Sequence, residues 1–137
     1  MRVPTTLSIL AAAAVCGLGQ PALAQDRLTP GQVSLYSEMW ALAGICTQYG
    51  GYDVQQDHLA DFLNDRLGNV ASEDRQRVAA TREERLQVIR DEIDRLTSLP
   101  HGNRRTREVQ ANAEALMTRC ARLANHATAG EFFERTS

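Results

Sequence analysis

No lysine occurs anywhere in the chain: all 15 basic side chains are arginine. That bias points to GC-rich coding, as in a high-GC bacterium, and not to a chemistry shared by scattered positions. The arginines are outnumbered by 17 acidic side chains, and aromatic residues make up only 5% of the sequence. The basic excess and concentrated patch of a nucleic-acid binder are therefore missing, and DNA and RNA are not expected partners. No apolar run reaches the roughly 20 residues a helix needs to cross a bilayer. There is no C-x-x-C, which removes a thioredoxin-like role, and no C-x-x-C-H for covalent haem. His58, His101 and His126 lie far apart, without the H-x-x-x-H or H-E-x-x-H spacing of a catalytic metal site. No G-x-S-x-G elbow accompanies the serines. Strand-like alternation, internal repeats and low-complexity linkers are also absent. No convergent catalytic set remains, and neither an enzyme nor a cofactor is expected.

The N-terminus carries Arg2, an apolar stretch from Leu7 to Leu18, and then Pro21 before Ala22-Leu23-Ala24. This is the pattern of a secretory signal with an A-x-A cleavage site, so residues 1–24 are expected to be removed and the rest to form one domain, 25–137. Cys16 raises the alternative of a lipoprotein signal, but bulky Val15 stands where such signals place a small residue. Cleavage would leave 137 − 24 = 113 residues, with 14 arginines against 17 acidic groups. The expected location is the periplasm, or outside the cell.

Without Cys16, two cysteines remain. In an oxidising compartment the pair Cys46 and Cys120 implies one disulfide. It closes a loop of about 75 residues, for which the chain-entropy argument gives roughly 4.5 kcal/mol.

Caps and apolar periodicity predict an all-α fold, a small disulfide-stapled bundle of four helices at about 30–49, 54–67, 73–98 and 104–129. The first opens with Thr29 as N-cap, Pro30 at the first helical position, Gln32 closing a capping box and Leu28 stapling onto Val33; Gly50-Gly51 ends it. Asp53 is the expected cap of the second helix and Ser72 of the third. Leu35, Met39, Leu42, Cys46 and Tyr49 form the seam of the first helix. Val109, Ala113, Leu116, Cys120, Leu123 and Ala127 form that of the fourth. An offset of 74 aligns the two seams residue for residue through Cys46 and Cys120, the parallel pattern. The favoured arrangement therefore has helices one, three and four as core, with the short second helix across one end. An up-down-up-down four-helix bundle, with helices one and four antiparallel, is the alternative.

Three places invite chemistry. Asp53, Asp57, Asp61 and Asp65 recur every four residues beside His58. Such a carboxylate face can attract a divalent cation, and Asp57, Asp61 and Asp65 are its candidate ligands; the competing reading is a solvated face, or one paired with Arg75, Arg82 or Arg85. Arg104, Arg105 and Arg107 crowd the first turn of the fourth helix, where free N–H groups add to their field. They are the candidate anion- or partner-binding site, unless Glu108 and Asp94 balance them. Arg82 interrupts the third apolar stripe, as expected of a residue at the core's edge with its stem packed and its head in water. Phe132 and Phe133, past Gly130, are expected to fold back onto the bundle.

The run Leu28-Thr29-Pro30-Gly31-Gln32 resembles the L-T-x-x-Q motif of the small periplasmic helical chaperones and metal-stress proteins of Gram-negative bacteria. The resemblance implies a dimeric client-holding surface and metal responsiveness. It covers five residues; the best second copy, Thr81-Arg82-Glu83-Glu84, lacks both the Leu and the Gln, and a helix-joining cysteine pair is not that family's pattern. The leading expectation is a non-enzymatic exported protein that binds another macromolecule, most directly another protein. A stress chaperone or metal-responsive protein is the alternative.

Overall fold

The structure is a computed structural model that describes residues 26–49 and 51–136; the expected leader, 1–24, lies outside them. The chain forms α1 (Pro30–Gln48), β1 (Tyr52–Val54), α2 (Gln56–Gly68), α3 (Ser72–Thr97) and α4 (Asn103–Ala124), then a 3₁₀ turn (Ala129–Glu131) and β2 (Phe133–Arg135). The fold is a small disulfide-stapled helical bundle, as the periodicity implies. No helix among the described residues is long and apolar enough to cross a membrane.

α1 starts where the sequence places it. Thr29 Oγ1 accepts from the Gln32 amide at 3.1 Å, and Gln32 Oε1 accepts from the Thr29 amide at 2.9 Å. This satisfies two backbone donors at the helix start. Leu28 and Val33 are both buried in the core, so the staple forms. α2 and α3 start differently from the expectation. Gln55 and Ala71 hold the cap positions without side-chain bonds, while Asp53 lies in β1 opposite Glu134. α4 stops at Ala124, five residues before the expected end, and Ala127 lies outside the helix. His126 accounts for the stop, because its Nδ1 accepts the Thr128 amide at 3.0 Å and turns the chain back. Gly130 is required at that turn: a Cβ there would stand 2.7 Å from the Ala124 carbonyl oxygen.

The turn returns Phe132 and Phe133 to the core, as expected. Phe133 is almost wholly buried, and Phe132 packs on Phe62, ring centroids 5.1 Å apart. Phe62 in turn meets Tyr36 edge-on at 5.9 Å, so aromatic contacts run from α1 through α2 to the tail. A tiny two-stranded sheet, not expected from the sequence, accompanies the helices of the expected all-α fold. β1 and β2 pair antiparallel, with Tyr52 opposite Arg135 and Val54 opposite Phe133. Strands of three residues are too short to show a period of two in sequence.

The helices alternate in direction. Gln56 at the start of α2 meets Thr47 near the end of α1, Arg66 Nε donates to Tyr36 Oη at 3.0 Å, and Val70 pairs with Asp26. α2 therefore runs antiparallel alongside α1 and does not lie across one end. α3 runs broadly with α1. The Leu28 amide donates to Asp74 Oδ2 at 2.9 Å, and Ser37 Oγ donates to its own helix at Val33 O and across to Val78 O at 3.1 Å. Small buried residues, Ser37 and Ala41, let α3 approach closely. α4 runs against α1: Glu38 meets Arg119, Cys46 meets Cys120, and Gly51 lies against Met117. Of the parallel seam pairs Cys46 and Cys120 meet, while Val109 is 44% exposed and cannot face Leu35 across a buried seam. Alternating steps of three and four read the same in either direction, so they align two helices without orienting them. The short α2–α3 and α3–α4 connections favour antiparallel neighbours, and the up-down-up-down alternative is the arrangement adopted.

The Cys46–Cys120 disulfide, Cα atoms 5.8 Å apart, lies in the core with neither cysteine exposed. Replacing both cysteines with alanine should cost about 3–4 kcal/mol, and thermal melts should show a Tm lower by roughly 15 °C.

Candidate functional site

Past the core, α3 and α4 continue as a two-helix hairpin. Of residues 94–112 only Leu96 is buried, and it stands outside the main core cluster. Ion pairs reinforce this thin apolar contact. Arg95 bonds Glu92 at 2.7 Å and Glu108 of α4 at 2.9 Å, and Arg104 bonds Glu108 at 3.1 Å. The Arg95 and Arg104 guanidiniums hold the Glu108 carboxyl below the usual carboxylate range.

The hairpin's tip carries the candidate anion or partner site. Arg104, Arg105 and Arg107 all lie in the first turns of α4, whose start has no side-chain cap. Glu108 takes Arg104, as the competing reading has it, whereas Asp94 pairs with none of the three among the described residues. Arg105 Nη1 lies 3.4 Å from Leu99 O and 3.3 Å from the His101 ring. No ion pair engages Arg105 or Arg107 among the described residues. Three arginines therefore face one glutamate at the tip of a chain whose net charge is −2. Beside them, His101, Arg105, Thr106 and Val109 border an open hollow of about 520 Å³.

The aspartates of α2 do not come together. Asp57, Asp61 and Asp65 are exposed along the helix, and Asp53 is separated from them by its place in β1. Among the described residues no three His, Cys, Asp or Glu side chains could hold one metal ion. Arg75, Arg82 and Arg85 do not pair with these aspartates either. Arg75 donates to Val70 O, and Arg85 is taken by α1. Arg82 lies at the core's edge as expected, its side chain 31% exposed, but its head does not stand free in water: the guanidinium carbon is 4.4 Å above the Trp40 ring and Nε is buried.

Two carboxylates within the fold, one fully buried and one half-buried, escaped the sequence reading. Asp74, fully buried at the start of α3, accepts the Leu28 amide and pairs with Arg27 Nε at 3.1 Å. Glu38 of α1, its side chain only 19% exposed, receives Arg119 Nε at 2.7 Å and Nη2 at 2.8 Å from α4, and Arg85 Nη1 at 3.0 Å from α3. Arg85 also donates to Ser34 O at 2.7 Å. One carboxylate thus joins three helices. The only sequence signal was position, since Glu38 is flanked by the apolar seam and needs a cation there; which arginine supplies it is a tertiary fact.

Burial by itself would raise the Glu38 pKa, but the bonds and charges of Arg119 and Arg85 outweigh it and hold the carboxyl below its ordinary value. A lowered folded-state pKa adds stability that is complete above the unfolded value, about 4.3, and lost as pH falls through the folded one. Glu38→Gln should therefore cost about 2 kcal/mol at neutral pH. The gap in Tm between wild type and variant should close below about pH 4, as thermal melts across a pH series would show.

With this geometry in view, no known protein family matches the chain, and no curated protein or solved structure matches it either.

Proposed function

We propose that this chain works outside the cytoplasm as a non-enzymatic binding protein that captures an acidic surface of another protein with the tip of its α3–α4 hairpin. The observation that carries this reading is the separation of tip from core. The hairpin contributes little to the main apolar cluster, yet it presents Arg105 and Arg107, without acidic partners among the described residues, beside an open hollow that includes Val109. Cationic groups on a molecule of opposite net charge steer an acidic partner to one place, and arginine is among the residues enriched at protein interfaces. The pKa displacements fit a non-catalytic role, because those of Glu38, Glu92 and Glu108 are explained by ion pairs that tie helices or neighbouring turns together. The N-terminal signal pattern and the disulfide support an exported location.

Affinity capture from a periplasmic extract of the source organism tests the proposal, with Arg104, Arg105 and Arg107 replaced together by alanine as control. The tip lies apart from the core, so the triple variant should melt within about 2 °C of wild type, in line with ordinary surface substitutions. One dominant partner held by the wild type should be lost from the variant. A partner retained equally by both would remove the tip from consideration. Many unrelated unfolded proteins held by both would favour the chaperone alternative, with suppression of client aggregation as its direct assay.

A further inference from the structure

A second concavity lies between α1 and α2, built from different residues. Trp40 forms one wall and Leu59, Leu63 and Leu67 of α2 the other, Ala43 and Gly44 contribute short residues from α1, and Arg82 of α3 reaches the rim. Its volume, about 340 Å³, falls at the lower end of small-ligand sites. At about 30 Å³ for a water-sized group, it holds roughly a dozen methylene-sized units.

Two features go beyond an apolar groove. The first is Gly44, inside α1, where glycine is the poorest helix former after proline. Nothing steric requires it, because a Cβ there would meet no atom within 4 Å. A longer side chain at this position would enter the groove. The second is Arg82, held against the wall by the Trp40 ring, 4.4 Å from its guanidinium carbon. Its Nε is buried without a hydrogen-bond partner, and the nearest carboxylate, Glu83, is 3.9 Å from Nη1. The cation is thus weakly compensated, at the edge of a trough that combines the α2 leucines and a 37% exposed tryptophan with two uncharged polar side chains, Gln56 and Asn64. A cation so placed complements a ligand with an apolar body and an anionic head.

We propose that the α1–α2 groove is a binding site for a single-chain anionic amphiphile, its chain lying along Gly44 and the α2 leucines and its head group on Arg82. Trp40 is the only tryptophan of the chain, so its emission reports occupancy directly. Sodium dodecanoate, titrated into the purified protein below its micelle concentration, should produce a saturable change in Trp40 emission and raise Tm. Dodecylamine, with the same chain and the opposite charge, should bind at least tenfold more weakly. Gly44→Leu should fill the groove and abolish the dodecanoate response while leaving Tm unchanged or higher. Arg82→Gln should weaken dodecanoate about tenfold and leave dodecanol unaffected. The proposal is overturned if dodecanoate gives no saturable response, if Gly44→Leu binds it like wild type, or if dodecylamine binds as well. Saturable binding of an acidic amphipathic peptide with no response to dodecanoate would overturn it in favour of a protein partner at this groove.

Discussion

The cross-link between Cys46 and Cys120 is the constraint around which the rest of the molecule is arranged. It joins the end of the first helix to the fourth across 74 residues of chain, at a point where both cysteines are fully buried. In the unfolded state such a loop excludes many extended conformations, and in the folded state it fixes where α4 crosses α1. The Glu38 carboxylate reinforces that crossing one side chain away, since Arg119 precedes Cys120 and reaches back across the same helix pair. A covalent bond and a partly buried ion pair thus act on one contact, and Arg85 carries it to α3. A polar group buried among apolar side chains is costly unless fully partnered; here the guanidiniums supply that partnering.

Buried polar anchors recur at the other end of α1. Asp74 binds the backbone just ahead of that helix and the Arg27 side chain, while Ser37 bonds across the closest approach of α1 and α3. The α1–α3 pair is therefore fixed at its start by Asp74, midway by Ser37 and further along by Arg85. The distal α3–α4 hairpin has no equivalent. Its ion pairs are exposed and individually weak, and its apolar contact narrows to Leu96. Buried contacts are therefore densest around the disulfide and thin out toward the hairpin tip.

Much of the fold was legible in the sequence because its signals were local. The Thr29 to Gln32 capping box, the stop at Gly51 and the spacing of the seams are written within a few residues of where they act. The cysteine pair, though distant, was readable because only two cysteines follow the leader pattern. Helix direction was not legible, because a stripe of apolar residues has no arrow; the lengths of the connections carried that information instead. β1 and β2 were missed because each exists only through the other, across 80 residues of sequence. The same distinction applies to the candidate sites. The arginine tip is contiguous in sequence and can be proposed from it, whereas the Glu38 junction and the Trp40–Arg82 groove each draw residues from separate helices. Asp57, Asp61 and Asp65 show the converse: a regular local pattern that the fold leaves spread along one exposed face.

The position of the last strand bears on how the chain reaches this structure. β1 has no partner until β2 exists, and Cys46 has none until residue 120 has been made. Phe133, among the most deeply buried side chains, belongs to that same late strand. A chain synthesised from its N-terminus therefore holds an unpaired Cys46 thiol and an unfilled core until residues 120–135 have been made. Loss of residues 133–135 would remove a strand and a core aromatic together.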